Sequence, residues 1–207
     1  MALSKVSKIV VGALTTGGVS GAGAYTYYEL TKETIKDKLG DKLLDFGTTD
    51  NTKWKARADI LAKDQSTTLS AGLAKIKQEK DTDGSKVKGW CEKNIKNKFV
   101  SEEDSLFQEI RKYCTYHIKD KVGVVVEETW SSSNSKNNDK LKKVNGDAET
   151  KLSATMKNIK AKLSASDTTK DDNALKTWCL ATYEKPFEKE DTQEIEDVKE
   201  YCAVITQ

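Results

Sequence analysis

The chain has 207 residues, and its 35 Lys and Arg stand against 33 Asp and Glu with the signs interleaved, which excludes the one-sign basic stripe of a nucleic-acid binder. Hydrophobic residues make up 36%, charged residues 33%, and mean hydropathy is -0.68, so each element has a narrow buried face and a broad solvated one. A single proline and 7% aromatics exclude a β-sandwich or barrel, which needs frequent turn breakers, and make all-α the expected class.

The first 28 residues are a different material. Lys5 and Lys8 precede an uncharged run from Ile9 to Tyr28 that ends in Tyr25, Tyr27 and Tyr28. At a helical rise of about 1.5 Å per residue such a run spans roughly 30 Å, the hydrocarbon thickness of a bilayer. Basic residues before it and aromatics after it predict a single pass through the cell membrane, with the N-terminus inside and the C-terminal region extracellular. Ala22-Gly23-Ala24 also fits a signal-peptidase site, and cleavage after Ala24 makes the protein secreted. The apolar stretch exceeds a typical signal core, which favours the anchor.

Residues 29–50, with Leu30, Ile35, Leu39, Leu43 and Leu44, are expected to continue this helix as a stalk or linker. Asp50 or Thr52 caps a helix bearing Trp54, Ala58 and Leu61. Leu69, Leu73 and Ile76 mark the next one, and Ser85 to Asn97 a third. Ser101 to Asp104 resembles a capping box opening a helix with Leu106, Phe107, Ile110, Tyr113, Cys114 and His117 or Ile118 on its apolar face. Lys121 to Val126 reads as a strand or a helix continuation, and Ser131 to Asn138, without apolar residues, as a flexible loop.

One pattern occurs twice. Trp90, Cys91, Phe99, Tyr113 and Cys114 recur as Trp178, Cys179, Phe187, Tyr201 and Cys202 at a constant offset of 88 residues, and the pattern uses all four cysteines. Upstream, Trp130 stands for Trp54, and Leu152, Ser153, Ala154, Met156 and Ile159 for Leu69, Ser70, Ala71, Leu73 and Ile76. The organisation expected is a membrane anchor or signal (1–28), a stalk (29–50), a helical unit (51–120), a connector (121–129) and a second helical unit (130–207). A helix, a short loop at the Phe and a returning helix bring the far ends together, so Cys91 with Cys114 and Cys179 with Cys202 is the natural pairing. Trp and Tyr then pack around each disulfide as core. Four cysteines allow three connectivities, and cross-repeat bonds stay open.

Chemistry finds little support in these residues. The cysteine intervals do not suit zinc, and C-x-x-C is absent. Asp81, Asp83 and Glu92 fall on an EF-hand-like frame, but Lys86 holds the position that needs glycine. No phosphate-binding, dinucleotide, serine-hydrolase or zinc-protease motif occurs, so no cofactor, metal or small-molecule ligand is expected. His117, the only histidine, lies three residues from Cys114 and raises a Cys-His nucleophile. The second copy has Ile205 in the same slot, which favours a packing role.

The glycine-rich apolar start, Lys53-Trp54, the Leu-Ser-x-x-[Leu/Met]-x-x-Ile-Lys run and the doubled Trp-Cys…Tyr-Cys arrangement resemble the paralogous families of uncharacterised proteins of haemotropic mycoplasmas. The resemblance covers nearly the whole chain and carries over no catalytic or binding residue. It implies a surface-exposed protein with an attachment or antigenic role, its partners being host-cell or matrix proteins and the membrane through residues 9–28. Two alternatives remain: an anchored or secreted hydrolase using Cys114 and His117, and a cytoplasmic scaffold with reduced cysteines.

Overall fold

The computed structural model describes residues 33–123, 130 and 135–205. The predicted span 9–28 and residues 124–129 of the expected connector lie outside the described residues. Among the described residues no helix is long and apolar enough to cross a membrane.

Thr34 opens the first helix, α1 (Ile35–Leu39), with its hydroxyl accepting from the Asp37 N–H at 3.2 Å while the Asp37 carboxylate accepts from the Thr34 N–H at 3.0 Å. A 3-10 turn over Gly40–Lys42 follows. Ile35, Leu39, Leu43 and Leu44 are all buried in the first core, so the stretch expected as a stalk is core. Its apolar spacing suited either role, because a short helix covering one end of a bundle needs the same stripe as a longer one.

In α2 (Asn51–Lys63) Trp54, Ala58 and Leu61 are buried at helical spacing, together with Arg57. Asp50 precedes the helix without capping it. Its carboxylate accepts from the Asp45 N–H at 2.8 Å and the Tyr116 hydroxyl at 2.7 Å, and it pairs with Lys53. Next come α3 (Ala71–Glu79), α4 (Ser85–Asn94) and α5 (Ser105–Cys114). Asp104 alone caps α5, accepting from the Phe107 N–H at 3.0 Å, in place of the box expected over Ser101 to Asp104. The helix stops at Cys114, and Thr115 is extended, so His117 is not on the α5 face.

Gly84 enters α4 with φ at 84°, and a Cβ there would lie 2.2 Å from the Trp54 carbonyl carbon. Backbone cannot yield as a flexible side chain does. Gly84→Ala is expected to destabilise the fold by about 2 kcal/mol through left-handed strain and the clash, read as a lower urea midpoint.

The second half repeats the plan. Helix α6 (Ile118–Lys121) starts at His117. Then come α7 (Lys136–Lys142), α8 (Asp147–Thr150), α9 (Ala154–Ser164), α10 (Ala174–Tyr183) and α11 (Gln193–Tyr201). This makes eleven α-helices and no strand among the described residues. The core joins Leu141, Met156, Leu175, Val198 and their neighbours around Cys179 and Cys202.

Three features fall on residues read as loop or core in the sequence. Asn137 and Asn138 are helical and buried. The Asn137 amide donates to the carbonyls of Tyr201 and Ala203, both at 2.8 Å, and that of Asn138 to Asp172 O at 2.9 Å. Trp130 lies half-buried outside any helix, not in the place that Trp54 fills. Trp90 and Trp178 pack at the rims of their cores, whereas Tyr113 and Tyr201 are buried within them.

The backbone extends the duplication upstream of Trp54. In the first half Ile35 N–H donates to Asn97 O at 2.9 Å and Phe99 N–H to Glu33 O at 2.9 Å; in the second Ile118 N–H donates to Lys185 O at 3.0 Å and Phe187 N–H to Tyr116 O at 2.8 Å. The antiparallel bridges Thr34 with Lys98 and His117 with Pro186 match in the same way. Among the described residues the match therefore extends back to Glu33 in the first half and to Tyr116 in the second. In this match His117 stands where Thr34 does, at an offset of 83 residues. The paired landmarks Ser70 and Ser153 share that offset.

Ser153 Oγ accepts from the Met156 N–H at 3.0 Å and donates to Asp197 at 2.6 Å, while the Ser70 hydroxyl makes neither bond. Ser153→Ala is expected to cost about 1 kcal/mol and Ser70→Ala clearly less, measured as paired shifts in urea midpoint.

Candidate functional site

Cys91 is bonded to Cys114 and Cys179 to Cys202, each pair 23 residues apart with Cα atoms 5.7 Å apart. Helices α4 and α5 bring the first pair together, α10 and α11 the second. All four cysteines are fully buried and none is free. Cys114 thus offers no thiolate to the His117 beside it, and a thiolate is what Cys nucleophilic chemistry needs.

His117 has another task. The segment Thr115 to His117 runs extended between two neighbours. On one side Leu44 N–H donates to Cys114 O at 2.9 Å and Tyr116 N–H to Lys42 O at 2.8 Å; on the other lie the bonds to Lys185 and Phe187. The imidazole is 1% exposed. Its Nε2 bonds Lys112 O at 2.7 Å, which as a carbonyl accepts only, so the ring carries its proton there. Its backbone N–H donates to the Asp120 carboxylate at 2.8 Å. Burial, and then the Arg57 guanidinium, lower the imidazole to about 4. Arg57 is itself buried, donating to Thr115 O at 3.0 and 3.2 Å and pairing with Asp120. Asn137 does the same for Ala203 O in the second repeat, so each repeat satisfies the carbonyl that follows its second cysteine.

A groove of about 710 Å³ lies beside this join. Ile60, Asp64, Leu69 and Tyr113 line one wall and Ala181 and Pro186 the other. Burial pushes the Asp64 carboxyl up, but Lys112 at 2.7 Å, the Tyr113 hydroxyl and the Ser66 N–H hold it at about 2. Tyr113 is raised by burial and by donating to that carboxylate. Glu188 from the second repeat receives Lys42 and Arg111 from the first, Arg111 Nε at 2.8 Å. Burial favours its neutral form, yet these donors leave it below the ordinary carboxylate value. A proton-transfer group works best with a pKa near the operating pH. Here Asp64 and Glu188 are committed to their donors, while Glu109, also on the groove, accepts from the Ser70 N–H at 2.5 Å through one oxygen and has its other oxygen buried without a partner.

Two of the EF-hand-like acids, Asp81 and Asp83, are committed to backbone donors, and Glu92 is exposed. Asp81 accepts from the N–H groups of Gly84 at 3.0 Å and Val87 at 2.9 Å, and Asp83 from Ser85 at 2.9 Å. Among the described residues no three His, Cys, Asp or Glu side chains are grouped to hold a metal. The helix-joining Asp83 turn recurs as Asp171 accepting from Asn173 at 2.9 Å, a repeat that the Asp-x-Ser and Asp-x-Asn spacings carry in the sequence. Comparison with protein-family models, with curated proteins and with solved structures found no match to this chain.

Proposed function

We propose that this chain is an extracellular interaction module with an attachment or antigenic role, tethered to the membrane through residues 9–28. The observation that carries the reading is the pair of buried disulfides at the same positions of both repeats, since such bonds persist in oxidising compartments. The resemblance to the surface families of haemotropic mycoplasmas supports the same reading, and host-cell or matrix proteins are the partners it implies.

The test uses intact producing cells. Added protease is expected to remove the region after Tyr28, and alkylation of the unreduced protein to label no cysteine. A protected region with four labelled thiols would point instead to the reduced cytoplasmic scaffold, and labelling of at least Cys114 in an exposed region to the hydrolase.

A further inference from the structure

The two repeats close the seam between their second and third long helices differently. In the first, the Trp90 indole lies on Gly72: a Cβ there would sit 2.7 Å from its Nε1 and 2.8 Å from its Cδ1. Farther along, Glu79 pairs with Lys86 at 3.0 Å across the seam between α3 and α4.

In the second repeat the tryptophan is kept and the other three members of this closure are changed. The position of Gly72 holds Thr155, whose Cβ denies the indole of Trp178 the seat that Trp90 takes. Glu79 is replaced by Lys162 and Lys86 by Ala174, so the cross-seam ion pair has neither partner. The result is a groove of about 540 Å³ between α9 and α10, with Ile159, Ala174 and Trp178 as its apolar surface and Thr155 and Lys162 along its edge. Among the described residues no carboxylate stands within ion-pair distance of Lys162. Asp171, also on the groove, is committed to the Asn173 N–H.

We infer that this groove is a docking site for an acidic peptide segment of a partner protein that carries one aromatic or branched apolar side chain. The apolar side chain lies against Trp178 and Ile159, in the space that Trp90 fills in the first repeat. The partner's carboxylate meets Lys162 from the side on which, in the first repeat, Lys86 meets Glu79, with the signs of the two charges exchanged. An indole face and a long ammonium side chain suit such a ligand by apolar contact and by charge. The volume falls in the range of sites that hold a few side chains. The inference rests on the interaction-module reading, but the tests are separate: protease on cells reports exposure, and peptide binding reports the groove.

The experiment titrates the full chain, reconstituted in detergent, into fluorescein-labelled Glu-Glu-Phe-Glu-Glu and into the same peptide with lysines in place of the glutamates, followed by anisotropy. Saturable binding of the acidic peptide alone is expected. Lys162→Glu should weaken it about fivefold or more by exchanging attraction for repulsion. Thr155→Gly lets the indole fall back into the groove and should weaken binding to a similar degree. Thr155→Ala keeps the Cβ and should stay within about twofold of the parent, which separates groove closure from any general loosening of α9. Equal binding of both peptides, or no response to Lys162→Glu, would overturn the proposal. So would self-association of the chain that the same two variants abolish, which assigns the groove to a second copy.

Discussion

Replacing Cys91 and Cys114 together by alanine is expected to lower stability by about 3 to 3.5 kcal/mol, and replacing Cys179 and Cys202 by the same amount. The equality is the informative part. Chain-entropy stabilisation depends on the length of the closed loop, and both loops span 23 residues. The surroundings differ: Ile95 beside the first bond has Tyr183 as its counterpart, and Phe107 has Ile195. If packing around the sulfurs dominated, the two losses would diverge. Units of this size have small cores, so a few kcal/mol is a large share of what holds each together. Urea midpoints of the parent and the two double variants check the prediction, with a thiol assay confirming that the remaining bond is intact. A loss below about 1 kcal/mol for either pair would mean that the helices hold their register without the cross-link.

The helical class and the cysteine hairpins were legible because they rest on local pattern: apolar spacing for Trp54, Ala58 and Leu61, and a fixed interval for each Cys pair. What escaped depends on contacts between distant segments. Asn137 and Asn138 read as loop residues because their side chains are polar, yet they are buried to satisfy the carbonyls of Tyr201, Ala203 and Asp172. Arg57 does the same for Thr115, and no periodicity separates a buried arginine from a solvated one. The match upstream of Trp54 was hidden because Thr34 and His117 are different residue types. They share an acidic residue three positions on, Asp37 and Asp120, and a backbone place beside Lys98 and Pro186. The groove at Trp178 was half legible. The exchange of Gly72 for Thr155 can be read from the aligned landmarks, but its meaning requires seeing that Trp90 lies on the glycine.

The histidine at the join also sets the chain's acid sensitivity. His117 is the only histidine, held at about 4 against an ordinary 6.5, first by burial and then by Arg57. Arg57 faces it from α2, Lys112 O receives its Nε2 proton from α5, and Asp120 of α6 accepts its backbone N–H. A second ring proton would put a buried cation beside a guanidinium. The unfolded chain binds that proton from pH 6.5 downward and the folded chain only near pH 4. This contribution to stability is therefore complete above pH 6.5 and is lost as the pH falls through the window. Each pH unit weakens the fold by about 1.4 kcal/mol, about 3 kcal/mol by pH 4. Asp64, held at about 2, contributes its own loss only below its ordinary 3.8, so the two windows separate. Urea midpoints at pH 7.5, 6, 5 and 4 should follow this course in the parent. In His117→Gln, a neutral amide still able to donate to Lys112 O, they should stay nearly level from pH 6.5 to 4.5. Because His117 sits where Thr115 to Ile118 joins the two repeats, acid should loosen the join before it loosens either cystine-braced hairpin. Hydrogen exchange at the Ile118 and Phe187 amides should then rise at pH 4.5 ahead of exchange within α5 and α11. An unchanged order of exchange in the parent, or a parent profile as flat as that of His117→Gln, would remove His117 as the cause.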